Sequence, residues 1–201
     1  MFADIETSIL RRLELAASAE NKILGYSWGT CETYPENWQD YLENNLALLR
    51  APAVWVTFGG MTKISASTRG VDVRATYGVI VAAKNYRNQR NARFGGASPD
   101  EIGSYQLVND VIGLLNGNNL GLDISDLEVQ AVNFTNQNSA MAKTGMSFLA
   151  VTLTTEFTLG FESDFEADDL GDFATFNVDW ALPPSDGTKT NQIITLETEA
   201  N

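Results

Sequence analysis

Between Val71 and Asn116 the chain spells out a strand, a basic segment broken by glycines, and a helix, and few folds accommodate that unit. Val71, Val73, Ala75, Tyr77, Val79 and Val81 alternate with Asp72, Arg74, Thr76, Gly78 and Ile80. That is the period-two pattern of a strand with one buried face. Ile80, Ala82 and Ala83 break the alternation near its end, where the second face is expected to be partly covered as well. Lys84, Arg87, Arg90 and Arg93 follow, and then Gly95-Gly96. Ser98-Pro99-Asp100-Glu101 predicts a helix start, with Ser98 and Glu101 as a capping box and Pro99 at the first helical position. Ile102, Tyr105, Val108, Ile112 and Leu115 would form its buried face, and Gly117 its left-handed stop.

The rest of the chain reads as cover and extension for this unit. Ile5, Ile9, Leu13 and Ala16 or Ala17 recur at helical spacing and predict a helix over Asp4–Ser18. Ile23–Glu32 is a short strand candidate interrupted by Gly25 and Gly29. A second helix is expected from Thr33 or Tyr34, with Pro35 in its first turn, and ends before Pro52. Trp38, Tyr41 or Leu42, Leu46 and Leu49 make its apolar side. Ala53–Phe58 is rich in branched and aromatic residues and predicts a strand, with a turn or bulge at Gly59-Gly60 and a continuation over Met61–Ser65. It pairs with the long strand as a hairpin or meander. Leu127–Phe134 alternates and then slips by one place, the mark of a bulge. Met146–Phe161 is the last long strand, and the eleven residues Thr135–Gly145 form a polar loop long enough to be mobile or to make a contact.

After Phe161 the composition changes. Glu162, Asp164, Glu166, Asp168, Asp169 and Asp172 fall within eleven residues, interleaved with Phe165 and followed by Phe173, Phe176 and Trp180. Short strands are expected over Phe173–Leu182 and Gln192–Leu196, separated by Pro183-Pro184. The expected organisation is therefore an α+β core over residues 1–161, built on a mixed, mostly antiparallel sheet flanked by helices, with an extended acidic, aromatic C-terminal arm over residues 162–201.

Composition narrows the chemistry. The 201 residues include no histidine and one cysteine, and the formal net charge is −13. Without histidine the commonest general base and transition-metal ligand is missing, with every Ser/His or Cys/His mechanism. An enzyme would have to work with carboxylates or lysine, and no pair is placed by spacing, so no catalytic residue is assigned. One cysteine rules out an internal disulfide framework, and Cys31 reads as a small, partly buried hydrophobe. The acidic balance opposes tight binding to a phosphate backbone. No apolar run reaches the length of a membrane span, and Met1-Phe2-Ala3-Asp4 opens into a helix without signal-peptide features, so a soluble protein is expected.

Several clusters invite a functional reading. Glu162–Asp172 has the carboxylate density of a calcium site but not its spaced loop, and a solvated arm docking through its aromatics fits better. No metal ligand or cofactor is assigned. Asp72 and Arg74, on the polar face of the long strand, read as part of an exposed cross-strand ion pair rather than as a catalytic pair. Gly59-Gly60 and Gly95-Gly96 lack the spacing and lysine of a phosphate cradle and read as turns. Trp28, Trp38, Trp55 and Trp180 read as core or interface anchors. Lys84, Arg87, Arg90 and Arg93 form the basic island of an acidic chain. So many cations in ten residues exceed what solubility needs, and arginine suits carboxylate pairing across interfaces. The candidate partner contacts are therefore Lys84, Arg87, Arg90, Arg93, Phe165, Phe173, Phe176 and Trp180.

The opening helix (Ile5, Ile9, Leu13), the AVWVTF strand, the long strand ending in KNYRN, the SPDEIGSYQLVNDVIGLLNG helix and the FNVDWALPPSDG ending follow one another in an order that resembles the Mu-like phage gp37-type family. Its members look like tail terminators of contractile-tailed phages. The resemblance implies a six-fold ring that caps the tail tube and sheath, halts tail polymerisation and joins the head connector. It implies contacts with tube, sheath and neck proteins, and DNA passing through the lumen without specific binding. It also implies a place at the head-proximal end of the virion tail, after assembly in the host cytoplasm. A neck or head–tail completion protein is the alternative within that class. A ligand-binding module with aromatic platforms, or a carboxylate glycosidase, would be alternatives outside it.

Overall fold

The structure is a computed structural model that describes residues 1–18, 23–45, 49–67, 70–85, 87–98, 101–135, 141 and 144–160, and the backbone of Thr175–Trp180 and Thr190–Thr195. The elements run α1 (Phe2–Ala17), β1 (Thr30–Thr33), α2 (Trp38–Asn45), β2 (Ala53–Ser67), β3 (Gly70–Lys84), α3 (Gln89–Phe94), α4 (Ser104–Leu115), β4 (Glu128–Phe134), β5 (Met146–Gly160), β6 (Thr175–Trp180) and β7 (Thr190–Thr195). Residues 1–160 and 161–201 form two compact units. In the first, five strands lie in the order β1-β2-β3-β5-β4, with β1 parallel to β2 and every other pair antiparallel. In the second, β6 and β7 form an antiparallel pair. The class is α+β with a mixed sheet.

Strand β3 is the centre of the sheet, paired with β2 on one side and with β5 along its whole length on the other. Val73, Ala75, Tyr77, Val79 and Val81 are fully buried on one face, under α1 and α4. Ile5, Ile9 and Leu13 of α1 and Leu107, Val111 and Leu115 of α4 complete this main cluster. Each fully buried Val, Leu or Ile among them is worth about 1.5–3 kcal/mol. Arg12 of α1 clamps the two helices together, its Nε donating to Leu114 O at 2.5 Å. The opposite face is covered at one end, where Trp38 and Leu42 of α2 meet Trp55, Ala82, Met146 and Phe148. Trp38 stands edge-on to Trp55 with centroids 4.9 Å apart. The second cover over Ile80–Ala83 thus lies where the alternation fails.

Several boundaries differ from the sequence expectation. Helix α4 begins at Ser104, not after Ser98, and Gly103 is its N-cap without a side-chain bond. The capping box does not form because Glu101 is used elsewhere: its Oε2 accepts from Asn85 Nδ2 at 2.9 Å. Val108 and Leu115 are buried as expected, joined by Leu107 and Val111, while Tyr105 is exposed and Ile102 and Ile112 are partly buried. Gly117 does stop it, at φ +73°.

The short strand is only Thr30–Thr33, and the parallel ladder runs on through Tyr34 N, which donates to Val56 O at 2.7 Å. That commits Thr33 and Tyr34 to the sheet, so α2 starts at Trp38, with Asn37 Oδ1 accepting from Asp40 N. Strand β2 runs unbroken through Gly59-Gly60, with register shifts at Phe58/Gly60 and Lys63/Ser65, and β4 carries its bulge between Val129 and Ala131. In the segment expected as a polar loop, Met141 and Thr144 are buried, and Met141 joins the cluster around Trp38.

Candidate partner-contact surface

The basic segment is expected to be a loop, and the structure corrects this: it holds a helical turn and a half, α3. Asn88 caps it, with Oδ1 accepting from Asn91 N at 2.8 Å, and Gly95 ends it at φ +86°. Two backbones cross here without room for a side chain. A Cβ on Gly103 would lie 2.3 Å from Gly95 N and 2.4 Å from Arg93 O. This fixes α3 against the start of α4.

The four cations have distinct surroundings. Lys84 closes β3 and, with Arg87, Glu101 and Ile102, lines a cleft of about 290 Å³. Arg87 Nη2 lies 3.2 Å from Glu101 Oε1, so its charge is answered within the chain. Arg90 sits over Phe94, 5.4 Å from the centroid, and Arg93 over Phe134 of β4 at 4.9 Å. Phe94 also packs edge-on against Tyr105 with centroids 5.1 Å apart. Phe94 is 67% exposed and Phe134 54%. Sequence reasoning missed Phe94, Tyr105 and Phe134. Isolated aromatics in separate elements leave no spacing to read, and only folding brings them together. Such a patch suits carboxylates, because the guanidinium groups remain partly wet and their flat faces are held by rings. Phe165 and Phe173 lie outside the described residues; Phe176 and Trp180 fall in β6, whose side chains are likewise outside them.

The exposed cross-strand ion pair expected on this face forms from Arg74, with Glu156 as its partner and not with Asp72. Arg74 Nε donates to Glu156 Oε1 at 2.8 Å, across to β5. Asp72 accepts from Thr158 Oγ1 at 2.7 Å and from Ser65 Oγ. These hydroxyls, Ser65 first, hold its carboxyl below the usual range. Asp110 on α4 behaves oppositely: burial raises its pKa, partly offset by the bond it accepts from Tyr26 at 2.9 Å. Cys31 is half-buried, and burial, then Glu14 and Glu32, push its thiol up to about 12, which keeps it protonated and unreactive. Trp28 anchors the α1 exit through Nε1 to Leu13 O at 3.0 Å.

Among the described residues no three His, Cys, Asp or Glu side chains are grouped so as to hold a metal ion, and no helix is long and apolar enough to cross a membrane. The arginines and aromatics of α3, α4 and β4 thus form an exposed patch on an α+β scaffold. The sequence model of the family described as Bacteriophage Mu, Gp37 matches residues 1–158. The chain belongs to that phage family. No curated protein matches it.

Proposed function

We propose that this chain is a tail terminator of a contractile-tailed phage: a structural protein of the virion that closes as a homo-oligomeric, six-fold ring on the finished tail. It caps tube and sheath, stops their polymerisation and offers the surface that the head connector or neck proteins join. The observation that carries the reading is the family match over residues 1–158, nearly the whole first unit. The rigidly mounted patch of Arg90, Arg93, Phe94 and Phe134 supports it. A closed ring needs two different surfaces on each copy, and a cationic, aromatic patch on an acidic chain suits one of them. Net negative charge also suits a lumen that DNA must traverse without sticking.

Tails assembled with and without the protein test this. Without it, tubes and sheaths are expected to grow past their normal length. Tails of normal length that fail to join heads would instead assign it to head–tail completion. Normal, head-joined tails would overturn the structural role.

A further inference from the structure

Among the described residues the five-stranded sheet leaves two edges unpaired, and they differ in character. Strand β1 covers β2 only at Ala53–Val56. Beyond it, among the described residues, no strand pairs with the outer side of Thr57–Ser67. Along this stretch Phe58 is 38% exposed, Met61 50% and Ile64 49%, with exposed Lys63 between them. At the other end of the sheet, the outer side of β4 is likewise unpaired by any described strand. There Val132 is 41% exposed and Phe134 54%. An exposed apolar strand edge is a template for pairing with another chain.

The geometry points to a second copy of this chain as the occupant: we propose that copies join head to tail, the free part of β2 pairing with β4 of the next copy. Two observations agree. Direction is the first. From β2 through β3 and β5 to β4 each pair is antiparallel, so β4 runs opposite to β2, and a continued sheet would be antiparallel at the junction too.

Side-chain facing is the second. Phe58 and Met61 lie opposite Tyr77 and Ala75, and Val132 and Phe134 opposite Val151 and Leu149. All four partners belong to the main cluster beneath α1 and α4. Joining the edges therefore places apolar residues beside apolar residues on one face.

Lys63 stands on the β2 edge opposite Val73, and with the two bulges of β2 it discourages indiscriminate pairing. Thr62 aligns through Arg74 with Glu156, and Ala131 with Thr152. The two edges are thus centred about four residues, roughly 13 Å, apart along the strands. Successive copies are stepped by that amount, as in closed arrays of tilted strands.

The inference shares with the proposed function only that copies associate. The test uses the full 22.0 kDa chain and its mass in solution across a concentration series. The wild type is expected to assemble. Met61→Lys with Ile64→Lys, which blocks the β2 edge, and Val132→Lys, which blocks the β4 edge, are each expected to be monomeric with an unchanged circular dichroism spectrum. Mixed in equal amounts, the two blocked forms keep one good edge each and should form a dimer and nothing larger. Assembly that survives either block overturns edge pairing and leaves the ring reading standing. Loss on blocking β2 alone indicates a two-fold β2–β2 contact and also overturns it. A wild type that stays monomeric at every concentration refutes both readings. If a variant misfolds, hydrogen exchange on the wild type decides: amides of residues 57–67 should gain protection on assembly, and no gain rejects the proposal.

Discussion

Strand β3 and helix α3 are separated by four residues, and opposite balances hold them. On β3, every second residue from Val73 to Val81 is fully buried, and the sheet is paired on both sides. On α3, Ala92 is the buried residue among the described side chains, while Arg90 and Phe94 are exposed. The strand is held by apolar area, which sums over many residues and tolerates small errors. The turn is held by a few specific contacts: the Asn88 cap, the Gly103 crossing, and Glu101 with Asn85 and Arg87. An exposed surface such as the one proposed to meet a partner cannot be buried in its own core, so specific contacts are what position it.

This contrast can be broken most forcefully from its buried side. Leu107→Ala under β3 leaves a cavity in a fully buried site and should cost about 2–5 kcal/mol. By thermal denaturation that is a drop of roughly 5–15 °C for a domain of this size. Gly103→Ala comes next. The added Cβ meets backbone that cannot swing aside, and about 1–3 kcal/mol is expected. It should also shift α3, visible as altered aromatic signals of Phe94 and Tyr105.

Glu101→Gln tests the ionic hold. The loss of charge opposite Arg87 and a weaker bond to Asn85 should cost about 1 kcal/mol, or about 2–4 °C. A larger loss than that of Leu107→Ala would overturn the ranking of core over contact. The finest test is pH. The folded pKa of Asp72 is lowered, so its stabilisation is present above the unfolded value of about 3.9 and is lost as pH falls through the folded value. The folded pKa of Asp110 is raised, so its favourable contribution holds below about 3.9 and is lost as pH rises through the folded value. In melting temperatures across the acid range, Asp72→Asn should flatten the acid-side decline. Asp110→Asn should remove an opposing slope just above it.

Much of the core was legible because burial leaves a period. The stripes Ile5-Ile9-Leu13 and Val73 to Val81 and the stop at Gly117 appear where spacing places them, and the bulge of β4 falls just before Ala131 rather than just after it. What failed were competitions between local and distant partners. Ser98 and Glu101 make a sound capping box on paper, yet Glu101 finds Asn85 and Arg87, which the end of β3 brings to it. Thr33 and Tyr34 could precede a helix, but the parallel ladder to β2 takes them first. Arg74 turns from Asp72, two places along its own strand, to Glu156 on β5, because the cross-strand neighbour is nearer than the next residue on the same face.

The contact surface divides in the same way. The sequence by itself determined that a basic segment interrupts an acidic chain, since charge and composition need no folding to be read. Only the tertiary structure decided that Arg87 is answered internally by Glu101, that Arg93 lies on Phe134, and that Phe58 and Met61 stand on a stretch of β2 whose outer side no described strand pairs. The physical reason is that periodicity reports how a segment divides between core and water, a local property repeated along the chain. Which side chains meet across separate elements depends on register and crossing geometry, and those are set once the main cluster has closed.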